Sequence, residues 1–237
     1  MLLLVLPTLQ TYSQFNDSVH YHVYYGSTGI INKTNDGNSF VLNNALRFNI
    51  NKKIITLNFS NSYVYGEQQT RKTNNDFSST IDFDIYKNIQ KLYYWGLGTF
   101  DKSYSLKIKH RYQGGVGLGY TFLKTKTADL VVSDGIIYER SDVEKADNTE
   151  DNYGTLRNSA RLKYRWVIND LLILEGVSFL QNSLSDKSDY ILKSNNNALI
   201  KLRKWLNFTT AINYNKLTKT QRENLLITFG LTMEKYF

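Results

Sequence analysis

Three histidines, a glycine-rich run and a ladder of basic residues at alternate positions are the features of this sequence whose types and spacing could do chemistry. His20 and His22 stand two apart, so on a strand both point to one face, as a metal site or a Ser-His hydrolase would need. No third partner accompanies them or His110, and polar filling of an interior accounts for the pair. Gln113-Gly114-Gly115-Val116-Gly117-Leu118-Gly119-Tyr120 invites comparison with phosphate-binding loops, but those open a helix, and here Tyr120-Thr121-Phe122 continues a strand pattern. Gly115, Gly117 and Gly119 share a face with Arg111, Gln113 and Thr121, where small residues let a wall curve or admit large neighbours. Arg157, Arg161, Lys163 and Arg165 form the basic ladder, with Arg47, Lys193 and Lys201 as further bases and Asp82, Asp84 and Glu139 as candidate acids on other strands. Paired, the two sets cross-link an interior; unpaired, a ring of bases selects anions. The acids of loop 141–151 (Asp142, Glu144, Asp147, Glu150, Asp151) lack the EF-hand spacing and its Gly, and read as solvated surface. No catalytic residue, metal site or cofactor is expected.

Residues that alternate in this way need strands to hold them. Period-two alternation recurs in twelve blocks, at about 18–30, 39–50, 54–66, 76–86, 91–101, 109–122, 128–140, 152–166, 171–181, 189–200, 205–216 and 222–237. In block 152–166 Leu156, Ala160, Leu162, Tyr164 and Trp166 oppose Arg157, Ser159, Arg161, Lys163 and Arg165. Blocks 91–101 and 171–181 alternate poorly, and their facing stays unassigned. A mean hydropathy of −0.41 and the lack of any 18-residue apolar run exclude a polytopic helical membrane protein. The absence of Cys excludes a disulfide scaffold and thiolate metal sites. The net charge of +8 is not gathered into an aromatic-interleaved patch, so nucleic acid is not an expected partner. Met1–Leu9 is apolar and is followed by Thr11-Tyr12-Ser13-Gln14, which reads as a signal peptide over 1–13 without its basic start. The alternative is a buried N-terminal strand or helix.

Two-faced strands suit either a soluble sandwich or a membrane barrel. Sandwich strands usually run five or six residues and membrane strands about 9–11, and these blocks are long. Aromatics fall in two belts. On the tight-turn side stand Tyr86, Tyr93, Tyr120, Phe122, Tyr164, Trp166, Trp205, Tyr236 and Phe237. On the other stand Tyr25, Tyr63, Tyr65, Phe77, Phe100, Tyr112, Tyr138, Tyr153, Tyr190 and Tyr214. Girdles of this kind mark the two interfaces of a lipid-facing wall. The expectation is an all-β chain forming a single antiparallel transmembrane β-barrel of about twelve strands. Its domain runs over 17–237, with longer loops on one side, short turns on the other and both termini periplasmic. Twelve tilted strands make a wall roughly 24 Å across, leaving on the order of 10 Å between inward side chains.

Lys91 to Leu123, KLYYWGLGTFDKSYSLKIKHRYQGGVGLGYTFL, is an aromatic-rich strand, a charged turn and a Gly-rich strand ending in Gly117, Gly119 and Tyr120. This resembles the salt-induced outer-membrane protein family, domain of unknown function 481, and the final hairpins over 171–237 look similar too. The resemblance implies an outer-membrane barrel and supplies no catalytic residues. The resulting expectation is a non-enzymatic outer-membrane barrel with a structural or passive pore-like role. Its partners are outer-membrane lipid, the barrel-assembly machinery and small anionic solutes. The alternatives are an outer-membrane hydrolase of lipid or lipopolysaccharide, or a partner-binding barrel using its surface loops.

Overall fold

Strand-forming Val, Ile, Thr, Tyr and Phe fill every alternating block, and the single Pro stands at position 7, ahead of all of them. A computed structural model describes residues 20–35, 37–52, 54–86 and 91–237; the expected signal peptide over 1–13 and the domain start at 17 lie outside these residues. The described chain forms β1 (Tyr21–Lys33), β2 (Asn38–Lys52), β3 (Ile55–Gln68), β4 (Arg71–Tyr86), β5 (Leu92–Ser103) and β6 (Ile108–Lys124). It continues through β7 (Ala128–Glu144), β8 (Glu150–Ile168), β9 (Leu172–Ser183), β10 (Tyr190–Lys201), β11 (Leu206–Leu217) and β12 (Arg222–Tyr236). Each strand pairs antiparallel with its chain neighbours, and β1 pairs with β12 from His22↔Tyr236 to Gly29↔Phe229. The seam continues as Tyr21 N–H donates to the Phe237 carbonyl at 2.8 Å and Phe237 N–H to that of Tyr21 at 3.0 Å. The closed barrel has no edge strand, so no row of backbone donors is left unpaired along a side.

The two faces invert the pattern of a soluble protein. Leu118, Ile136, Leu156, Leu162, Ile227, Phe229 and Leu231 are exposed on the outer wall. Arg157, Glu139, Thr209, Thr228 and Thr232 are fully buried inside. The girdle residues Tyr63, Tyr120, Trp166, Trp205 and Phe237 are exposed, and Tyr65 and Tyr164 are half-buried on the same outer surface. Tyr164 lies over Gly176 and donates its hydroxyl to Asn196 Oδ1 at 2.9 Å, covering the gap that a glycine leaves in the wall.

Four aromatics expected in the belts point inward instead. Tyr86 packs on Tyr93 at 5.1 Å between centroids, Tyr153 donates to Glu139 Oε1 at 2.7 Å, and Tyr236 stacks on His22 at 4.1 Å. Each is out of phase with the outward residues of its own strand, and parity outranks aromatic character in deciding the facing. The hairpins also run further than the hydrophobic alternation. Segments read as loops near 67–75 and 141–151 are largely strand, turning only at Gln69–Thr70 and between Glu144 and Glu150. The backbone ladder continues past the apolar belt, where both faces are polar and the period-two signal is lost. Gln69 and Thr70 both have positive φ (47° and 66°), the left-handed pair that a two-residue hairpin turn demands.

Candidate functional site in the barrel lumen

Side chains from opposite walls meet inside the barrel. Arg47 on β2 donates through Nη1 to Glu175 Oε1 on β9 at 3.0 Å, five strands away around the wall, and Arg165 stands 3.8 Å from the other Glu175 oxygen. The Arg47 guanidinium lies 4.6 Å over the Tyr24 ring. A second chord joins β8 to β4: Arg161 lies 3.7 Å from Asp82 and 3.6 Å from Asp84, an ion pair longer than a hydrogen bond. Its Nε donates to Ser133 at 2.9 Å and its guanidinium sits 5.4 Å over Trp95. A third joins β10 to β5, with Lys193 3.7 Å from an Asp101 carboxylate that Arg111 also engages at 2.8 Å.

Toward the end of the barrel away from the termini the contacts become dry. Arg157 donates from Nε to Glu139 at 2.8 Å and from Nη2 to Asp189 at 2.9 Å, with Arg157 and Glu139 both fully buried. Ser141 and Tyr153 complete the Glu139 carboxylate at 2.9 and 2.7 Å. Above this layer the short connection Tyr104–Lys107 folds across the mouth. Leu106 is buried there against Ile108, Val143, Ile191 and Leu217. Asp76 on β4 holds the turn by accepting from Ser103 Oγ and Ser105 Oγ at 2.8 Å each, and from Ser105 N–H at 3.0 Å. Asn224 on β12, five strands from β5, donates to Ser105 Oγ at 3.0 Å from the far side. Beneath this lid lies a cavity of about 220 Å³ lined by polar and apolar groups in similar measure.

The glycine run serves packing. A Cβ at Gly117 would stand 2.6 Å from the Trp95 ring and one at Gly119 2.1 Å from the Tyr93 ring, so the bare backbone of β6 admits two large inward aromatics from β5. His22 bridges Asn49 at 3.0 Å and Glu234 at 3.2 Å inside the lumen, while His20 bonds the Asn51 carbonyl at 3.1 Å. His110 faces outward and stacks on Phe100 at 6.2 Å. Among the described residues no group of three metal-ligating side chains converges. The acids of the β7–β8 turn meet lysines, as Lys107–Glu144 and Lys145–Asp151 at 3.0 Å each and Lys109–Glu150. Asp147 accepts from Thr149 Oγ1 and N–H, which holds its carboxyl below the usual range.

The structure places the whole predicted ladder inside. Arg157, Arg161 and Arg165 meet carboxylates there, and Lys163 is exposed and acts electrostatically on Asp84. Beyond the candidate acids Asp82, Asp84 and Glu139, the carboxylates of Asp101, Glu175 and Asp189, which the alternation did not assign, also meet inward bases. Asp101 and Glu175 fall in the two blocks of unassigned facing. There the inward residues are themselves apolar or aromatic (Tyr93, Trp95 and Leu97; Ile173, Val177 and Phe179), which erases the contrast between faces.

The sequence profile of the family described as "Protein of unknown function, DUF481" matches residues 27–234. No curated protein matches the chain. Among solved structures, the translocator domain of the autotransporter NalP from Neisseria meningitidis is similar at 14% identity and a TM-score of 0.49, over 90% of this chain and 88% of that one. The NanC porin is similar at 12% identity and a TM-score of 0.48, over 90% and 97% of the two chains. An outer membrane channel, COG4313, from Pseudomonas putida F1 is similar at 12% identity and 0.48, over 92% and 95%.

Proposed function

The chain belongs to this DUF481 family, and from that premise we propose that it is an outer-membrane β-barrel acting as a narrow passive pore for small solutes. The observation that carries the reading is the inversion of its two faces. An apolar wall with exposed aromatics surrounds a polar, ion-paired interior that still holds a cavity, and lipid is the solvent that satisfies such a surface. Both termini would face the periplasm, and the barrel would be inserted by the assembly machinery that handles closed barrels.

The pairing of Arg47, Arg111, Arg157, Arg161 and Lys193 with carboxylates leaves little net charge on the wall, which supports weak rather than strong ion selectivity. The hydrolase alternative needs a lipid-facing His beside a nucleophile, and His110 meets Phe100 instead. The partner-binding alternative needs extended surface loops, whereas the connections at the lidded end are short.

Fractionation with outer membranes, heat-modifiable migration on gels and KCl currents across planar bilayers test the reading together. A soluble, detergent-independent monomer ends it.

A further inference from the structure

The cavity beneath the lid has an unusual wall. On β10 to β12, Asn195 stands opposite Asn213 and Asn215 opposite Asn224, with Asn43 on β2 lining the same space. Hydroxyls of Ser60, Ser62, Ser78 and Thr80 line the side formed by β3 and β4. Apart from Lys102, whose side chain is exposed, the charges in this wall are engaged: Arg47 with Glu175, Arg111 and Lys193 with Asp101, and Asp76 with the serines of the lid. The side chains of Asn43, Asn195, Asn213 and Asn215, by contrast, make no hydrogen bond to another described residue. The hydroxyls of Ser60, Ser62 and Thr80 are likewise without one, so the unspent capacity of the cavity is carboxamide and hydroxyl.

A carboxamide offers two donors and an acceptor carbonyl, and a hydroxyl both donates and accepts. Several amides around one small space complement a solute that carries hydroxyls on successive carbons. Arg111, 5% exposed in the same wall, keeps Nη1 without a partner and adds a donor. A free ion gains little here, because the wall's charges compensate one another and an ion would give up hydration. A chain of ether oxygens gains less than a polyol, since it only accepts along its length. The cavity of about 220 Å³ has the size of one small solute rather than an oligomer. Pockets of this kind take their specificity from a few placed polar groups.

We propose that the cavity ringed by Asn43, Asn195, Asn213, Asn215 and Asn224 is a transit site for small neutral polyhydroxy solutes, of the size of a single hexitol or monosaccharide. The proposal rests on the pore reading and names the solute class of that pore. In the closed arrangement the lid covers the cavity, so the solute enters as the Ser103 and Ser105 contacts to Asp76 exchange.

The test compares proteoliposome swelling in sorbitol with swelling in tetraethylene glycol, an uncharged ether of similar size, alongside KCl currents from the same preparation. Sorbitol is expected to enter severalfold faster. An Asn195→Leu/Asn213→Leu variant, which keeps the branching of the side chain but has no amides, should bring the ratio close to one, and unchanged KCl currents check that the bulkier methyls have not closed the passage. Asn213→Ala, a milder change, should lower it partway, and heat-modifiable migration checks that both variants fold. Equal entry of the two solutes into wild-type vesicles that carry KCl currents overturns the polyol site and leaves the pore standing. So does a ratio that survives in both folded variants. Neither swelling nor current overturns the pore reading, and the solute class with it.

Discussion

Arg47 and Glu175 face each other from walls five strands apart, and their 3.0 Å contact spans the lumen. Their side chains remain 35% and 23% exposed, so water screens the pair. Contacts of this kind contribute about 0–1 kcal/mol, little enough to open on thermal motion. In the proposed pore this bridge would narrow the passage without sealing it. The Arg157–Glu139 pair has the same chemistry but no exposure, and its role is structural.

Removing one member of the dry pair should therefore be costly. Glu139→Ala is expected to destabilise the barrel by about 3–5 kcal/mol, because Arg157 stays buried with part of its charge uncompensated. Arg47→Ala should cost about 1 kcal/mol or less. Denaturant titration in lipid vesicles compares the two. Equal losses would remove the distinction between a scaffold pair and a pore pair.

Gly117→Val tests the packing role of the glycine run. A side chain at that position meets the Trp95 ring at 2.6 Å and the backbone carbonyl of Asp134 at 2.2 Å. Overpacking of this kind costs about 1–3 kcal/mol. Gly114→Val is the matched control, since a Cβ there meets nothing within 4 Å. Equal stability of the two variants in the same titration would contradict the assigned inward face of β6.

The outer wall carries a carboxylate in a polar pair where lipid is expected. Asn158 Nδ2 donates to both oxygens of Asp134, at 2.9 and 3.0 Å, near the middle of β7. Asn158→Leu should destabilise by about 1–3 kcal/mol by leaving the carboxylate without its donor. Asp134→Leu should be neutral or gain on the order of 1 kcal/mol, since acidic side chains at the lipid midplane are unfavourable. A large loss with Asp134→Leu would mean that this face is covered by something other than lipid.

Ion selectivity follows from the pairing. In a KCl gradient the reversal potential is expected to lie near zero, and Glu175→Gln should move it toward anions by freeing Arg47 and Arg165. Strong anion preference in the unmodified protein would show that the ladder carries an uncompensated field after all.

The barrel itself was legible because the outer face obeys a strict rule: Leu156, Leu162, Ile227 and Phe229 repeat at even spacing, on strands too long for a sandwich and flanked by aromatics. The lumen obeys no such rule. It takes Trp95 beside Arg161, and Phe179 on the same inward row as Glu175, so the residues that neutralise the basic ladder sit in the strands with the weakest periodicity. The lid was invisible for a related reason. Tyr104–Lys107 is short and mixed in composition, and only the distant Asp76, Val143, Ile191 and Asn224 reveal that it folds inward.

The most direct test of a pore narrowed by cross-lumen pairs is single-channel recording of the wild type and Arg47→Ala side by side in planar bilayers. The wild type should give small, discrete KCl steps. Arg47→Ala should give larger steps with the same heat-modifiable fold, because the side chain that reaches Glu175 is gone while the dry Arg157–Glu139 layer is intact. No current from either protein, or equal steps from both, would contradict the account.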